Sequence, residues 1–127
     1  MEPKFSFEID GSRGLIRITM AGFFTPDDIR DFPRARDGAH EALGCAPNQH
    51  LTLNDICGMT AQPQTIVDAF EEILADPERR SRRLAFVVGP TFARSQVLRA
   101  LSLREAKCFT DPALAEAWLF AADAEAN

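Results

Sequence analysis

Arg82–Leu103, RRLAFVVGPTFARSQVLRALSL, decides how the rest of the chain is read. Its first part, Leu84–Val88, is an unbroken apolar run between paired arginines and a Gly-Pro stop, the composition of a strand covered on both faces. Gly89 and Pro90 end the strand, since proline has no N–H to give to a ladder. Beyond them Ala93, Val97, Leu98 and Leu101 recur at helical spacing, so the chain changes from a period of two to one of 3.6. A strand followed at once by such a helix folds back over its own sheet and asks for parallel neighbours.

Working outward towards the N-terminus, Phe5, Phe7 and Ile9 alternate with Ser6 and Glu8, and Ile16, Ile18 and Met20 alternate with Arg17 and Thr19. Asp10-Gly11-Ser12-Arg13-Gly14 lies between the two runs, and turn formers between alternating segments predict an antiparallel hairpin. Thr25-Pro26-Asp27-Asp28 combines a capping hydroxyl, a proline suited to the first helical position and two acids for the positive helix end. The helix it opens should run towards Leu43 and kink or break near Phe32, because Pro33 interrupts its ladder. Leu51 and Leu53 then mark a short third strand ending near Ile56, with Gly58 in the following loop. From about Pro63, Ile66, Phe70, Ile73 and Leu74 share a helical face opposite Asp68, Glu71, Glu72 and Asp76, the clearest amphipathic helix in the chain.

On the other side of the deciding stretch, Ala106–Phe109 reads as a last strand. Asp111-Pro112 should cap a final helix lined by Leu114, Ala117, Trp118 and Ala121, with the polar tail from Asp123 frayed. The order ββαβαβαβα has no internal repeat and no linker long enough to divide it. One α/β layer sandwich spanning residues 1–127 is expected.

Composition narrows the function classes. The 127 residues are 46% hydrophobic and 26% charged with a net charge of −5, and no apolar run approaches the roughly 20 residues a membrane helix needs. An acidic chain is a poor match for phosphates, so nucleic acid is not the expected partner. The start, MEPKFSFEID, has no basic region followed by an apolar one, and a cytoplasmic location is the expectation. Cys45, Cys57 and Cys108 are widely spaced and odd in number, which predicts buried free thiols, no disulfide and no metal site.

Three words in the chain carry a resemblance: LTLNDICGM at Leu51–Met59, LAFVVG at Leu84–Gly89 and CFTDPALAEAWL at Cys108–Leu119. With the order of elements, they resemble the bacterial STAS-like proteins related to the anti-sigma factor antagonist SpoIIAA. That resemblance implies a SpoIIAA-like sandwich and a module that binds partners without turning over a substrate. Antagonists of that family are phosphorylated on a serine in an Asp-Ser-Ser-Gly word at the start of the helix after the third strand. Here the corresponding stretch after Asp55 and Gly58 is MTAQPQT with no serine, and Thr60 and Thr65 are the hydroxyls left to serve as a switch.

Other candidates are weighed from the residues themselves. Asp55, Cys57 and Gly58 fall where a strand ends, the usual place for ligands in open α/β sheets. A nucleophilic cysteine would need a base, and His40 and His50, the two histidines, show no orienting carboxylate; a packed structural thiol is expected. Gly89-Pro90-Thr91 lacks a phosphate-loop pattern, and Ser95 is in no nucleophile elbow. Arg79, Arg80, Arg82 and Arg83 could hold a phosphate, a lipid headgroup or an acidic helix, against the plainer reading of a solvated loop beside a helix end. Alternation can bury only one of Phe23 and Phe24 on each side of a strand, and one of them could line a pocket or a dimer contact, against core filling as the favoured reading. The leading expectation is a non-enzymatic, cofactor-free interaction module that pairs with a protein partner and with itself. The runner-up is a carrier of a lipid or small apolar ligand of CRAL-TRIO type, held by helices next to the hairpin, with an enzyme third.

Overall fold

The computed structural model describes residues 5–44, 49–59, 62–74, 81–89 and 106–125. Its strands are β1 (Phe5–Asp10), β2 (Leu15–Gly22), β3 (Leu51–Met59), β4 (Arg83–Val87) and β5 (Ala106–Phe109), and its helices α1 (Pro26–Leu43), α2 (Gln64–Leu74) and α3 (Pro112–Glu125). The strands lie in the order β1-β2-β3-β4-β5. β1 and β2 form the antiparallel hairpin, with Phe7 opposite Ile18, and the remaining neighbours are parallel. The α/β sandwich expected from the pattern is therefore present. Its expected third helix, built on Ala93, Val97, Leu98 and Leu101, and the Gly89-Pro90-Thr91 turn beyond Gly89, fall outside the described residues, as does Ser95.

Alternation along the strands sorts side chains into two cores. Ile16, Ile18, Met20, Ile56, Leu84 and Phe86 point to one face, where they meet Phe24, Phe32 and Ile66, with Phe5, Phe7 and Phe70 packed against them. Phe32 is the hub of the aromatic packing, its ring 5.4 Å from both Phe5 and Phe7 and 5.6 Å from Phe70. Leu15, Leu51, Leu53, Ala85 and Val87 point the other way, onto Ala115 and Leu119 of α3. Because β4 supplies both cores, its run had to be apolar at every position, which is what the unbroken LAFVV expresses.

Four local expectations are corrected. α1 passes through Pro33 as one helix of 18 residues; burial of Phe32 among the rings of Phe5, Phe7 and Phe70 holds the turn that proline weakens, and the Thr25–Asp28 capping box fixes its start. β3 runs to Met59 instead of ending near Ile56. A register shift opposite Thr19–Ala21 lets Gly58 pair with Ala21 and Met59 with Gly22, so a bulge prolongs the strand past the point where alternation is lost. In α3 the buried residues are Ala115 and Leu119, whereas Leu114 is 60% exposed and Ala117 is exposed; so much alanine and leucine in one helix gives periodicity little contrast with which to choose a face. The same helix is continuous to Glu125, with no fraying from Asp123.

Candidate functional site

Parallel strands β2, β3 and β4 all end on one side of the sheet, and the sequence-derived candidates Phe23, Phe24, Asp55, Cys57 and Gly58 gather there. The pair after Gly22 divides: Phe24 is fully buried, and Phe23, against the favoured expectation of core filling, is 54% exposed. What fixes the division is Gln62, a residue that the sequence reading did not single out. Its Oε1 accepts the Phe24 backbone N–H at 2.9 Å and its Nε2 donates to the Gly22 carbonyl at 3.0 Å. The buried amide thus acts as a short piece of strand between the ends of β2 and α2, and no periodic signal marks such a role.

Cys57 and Gly58 are corrected from loop to strand, and with Asp55 they lie on the stretch of β3 around the bulge. Asp55 turns its Oδ1 back to accept the Cys57 backbone N–H at 3.0 Å. Cys57 is exposed, not the packed thiol expected. Even so its pKa is raised, by desolvation first and then by the hydrogen bond and negative charge of Asp55; all three favour the thiol over the thiolate. Neither histidine reaches it, for a topological reason. His50 immediately precedes β3, about 20 Å along the strand from Cys57, and His40 lies against it with ring centroids 4.3 Å apart. Both histidines are buried. The Cys–His pairing that would revive an enzyme reading is not formed.

Two residues past β4, Gly89 lies against this end of β3. A Cβ there would stand 2.8 Å from the Cys57 carbonyl oxygen, inside any real contact distance. The glycine expected only to end a strand therefore also admits a neighbouring backbone.

Of the arginine cluster, Arg82 and Arg83 lie at the opposite end of the sheet. Arg82 donates its backbone N–H to the His50 carbonyl at 2.7 Å. Arg83 lies over the Trp118 ring at 4.5 Å and donates from Nη1 to the Trp118 carbonyl at 2.8 Å, so it helps to hold α3. Arg79 and Arg80 lie outside the described residues. On the same face Glu116 accepts from Arg13 at 2.5 Å and Arg17 at 2.7 Å, and these two arginines, Arg17 before Arg13, hold its carboxyl below the usual carboxylate range. These contacts fasten α3 to the hairpin.

Of the two proposed switch residues, Thr65 is exposed in the first turn of α2, which carries no acid of its own. It is inside the helix, where it cannot act as the N-cap. Thr60 lies outside the described residues. Among the described residues no three metal-ligating side chains converge, and no described helix is long and apolar enough to cross a membrane.

The whole arrangement has a solved counterpart. An uncharacterized protein of the DUF3478 family from Shewanella loihica PV-4, with a SpoIIAA-like fold, superposes with a TM-score of 0.68 over 91% of this chain and 93% of its own, at 16% identity. The fold is SpoIIAA-like. No protein-family model and no curated protein matches the chain. Within the SpoIIAA-like frame, Asp55–Met59 forms the end of the middle strand and Thr65 opens the helix after it.

Proposed function

We propose that the chain is a non-enzymatic STAS-like module of the cytoplasm that binds a protein partner at the strand ends around Phe23. The observation that carries this reading is the sorting of the phenylalanine pair. An aromatic ring is left 54% exposed at the end of a well-formed core, while its neighbour is pinned inside by a buried amide. Exposed aromatic side chains on a rigid frame are the usual anchors of protein interfaces. At the same strand ends Cys57 is held towards its thiol form, its pKa raised by desolvation and by Asp55. Affinity capture from native extract with wild-type chain and with Phe23→Asp tests it. Proteins retained by the first and lost with the second support the reading. An identical set from both, or nothing above background from either, ends it.

A ligand-carrying reading has one observation of its own. Asn54 is 6% exposed, sits between Ile18 and Phe86 in the sheet register, and its Oδ1 has no hydrogen-bond partner among the described residues. A buried acceptor in an apolar layer suits the polar group of a small apolar molecule or lipid. In the core that Ile18 and Phe86 share, the Phe70 ring lies 5.5 Å from Phe24 and 5.6 Å from Phe32, packing that a ligand would have to loosen. Native mass spectrometry of gently purified protein decides the matter: a bare chain mass with no thermal shift from fatty acids removes the ligand.

A further inference from the structure

The two edges of the sheet are built differently. β5 is four residues long and carries exposed Lys107, and short edge strands with lysine resist pairing with other chains. β1, at the other edge, is six residues long and contains no proline and no lysine. It runs beside β2 in unbroken register, so no bulge twists its outer side away. It also holds Ile9, which is 41% exposed although it points to the same face as Phe5 and Phe7. Among the described residues nothing pairs with the outer side of β1.

We infer that β1 pairs antiparallel with β1 of a second copy, with Phe7 facing Phe7 on the two-fold axis, to give a continuous ten-stranded sheet. Symmetry restricts the choices. Opposite residues of an antiparallel pair share a face, so a two-fold pairing must match odd positions with odd and even with even. Centring on Glu8 sets two carboxylates directly opposite, which is unfavourable. Centring on Ser6 matches Phe5 with Phe7 and leaves Ile9 beyond the described strand. Centring on Phe7 matches Phe5 with Ile9 twice and Ser6 with Glu8 twice. It covers the exposed isoleucine with an aromatic ring and opposes no like charges. The contact is made along the outer side of β1, whose Phe5 end packs against Phe24 at 6.2 Å, and its tests read self-association and register directly, apart from any partner bound at Phe23.

Sedimentation velocity from micromolar to near-millimolar chain tests the pairing. The weight-average mass should rise from the 14.1 kDa of the chain towards twice that value. Ile9→Lys, at an exposed position that leaves the core intact, should raise the dissociation constant by about tenfold or more, since two matched pairs are lost. Register is read by cysteine pairing in a background in which Cys45, Cys57 and Cys108 are all changed to serine. Mild oxidation should join Ser6→Cys to Glu8→Cys chains when the two variants are mixed and should join neither variant to itself, because only directly opposite side chains approach disulfide distance. A mass that stays at that of one chain throughout, a dimer undisturbed by Ile9→Lys, or disulfides in the single-variant samples would each overturn the proposal.

Discussion

Gln62 holds Phe24 inside the protein by accepting its backbone N–H at 2.9 Å while returning a hydrogen bond to Gly22 at 3.0 Å. Phe24 and Gln62 are both buried, so truncating the amide leaves a donor and an acceptor without water. Gln62→Ala should cost about 1–3 kcal/mol in urea unfolding. Gln62→Glu should recover little, since a carboxylate keeps the acceptor and sets negative charge against the Gly22 carbonyl. Equal stability of wild type and Gln62→Ala would show that the clamp is dispensable.

Glycine substitutions should act in opposite directions at two positions. Gly89→Ala drives a methyl into the Cys57 carbonyl oxygen, 2.8 Å away in fixed backbone, and should destabilise by about 1–3 kcal/mol. Gly38 is an exposed residue within α1, with open space where a Cβ would stand. Gly38→Ala should stabilise by about 0.5–1 kcal/mol by removing backbone freedom from the unfolded chain. Thermal melts of the two variants read both signs.

What was legible and what was not divides along a physical line. β1, β2, β4 and β5 were readable because period-two alternation, or its absence in the doubly buried LAFVV, records which faces are covered. The start of α1 was readable from Thr25-Pro26-Asp27-Asp28, whose chemistry is local. The end of β3 was not, because the bulge near Cys57 answers to the β2 neighbour and leaves no trace in periodicity. Nor was the buried face of α3, where the deciding contacts are Glu116 with Arg13 and Arg17, residues about a hundred positions apart. Arg17 sits among alternating apolar residues and reads as a wet-face charge. Its partner is visible only once the chain is folded. At the candidate site, the sequence located Asp55, Cys57, Gly58 and the phenylalanine pair, but the burial of Phe24 and exposure of Phe23 depend on Gln62.

The Glu116 contacts predict an acid-sensitive helix. The folded carboxyl is held below its unfolded value by Arg17 and Arg13, so the stabilisation is present above the ordinary carboxylate pKa of about 4.3 and is lost as pH falls through the lower folded value. With side chains 28 to 41% exposed, solvent screening limits the effect to about 1 kcal/mol. Glu116→Gln should be less stable than wild type at neutral pH, and the difference should close in the acid limb below the carboxylate range. A constant difference across the titration would assign the loss to packing instead.

Cys57 should react slowly for an exposed thiol. Desolvation and Asp55 raise its pKa, so at neutral pH its thiolate fraction is below that of a free cysteine. Its reaction with a disulfide reagent should gain rate only at more alkaline pH. Asp55→Asn removes the charge yet keeps an oxygen to accept the Cys57 N–H, and it should shift the profile towards neutral pH. Cys57→Ser identifies which kinetic phase belongs to this thiol. A profile unmoved by Asp55→Asn would leave desolvation as the only cause.

The first turn of α2 supplies the last prediction. Thr65 is exposed there, in a turn without an acid, and free N–H groups at a helix start favour negative charge. Thr65→Glu should stabilise the fold by about 0.3–1 kcal/mol at low ionic strength, with the gain falling as salt is added. A phosphate at the same hydroxyl would meet those groups with greater charge, which is how this position could serve as a switch without the serine of the antagonists it resembles. Phosphopeptide mapping of the endogenous protein, together with capture of partners by Thr65→Glu, tests that use. Stabilisation without modified peptide and without a changed partner set would leave Thr65 a favourable place for charge that the protein does not exploit.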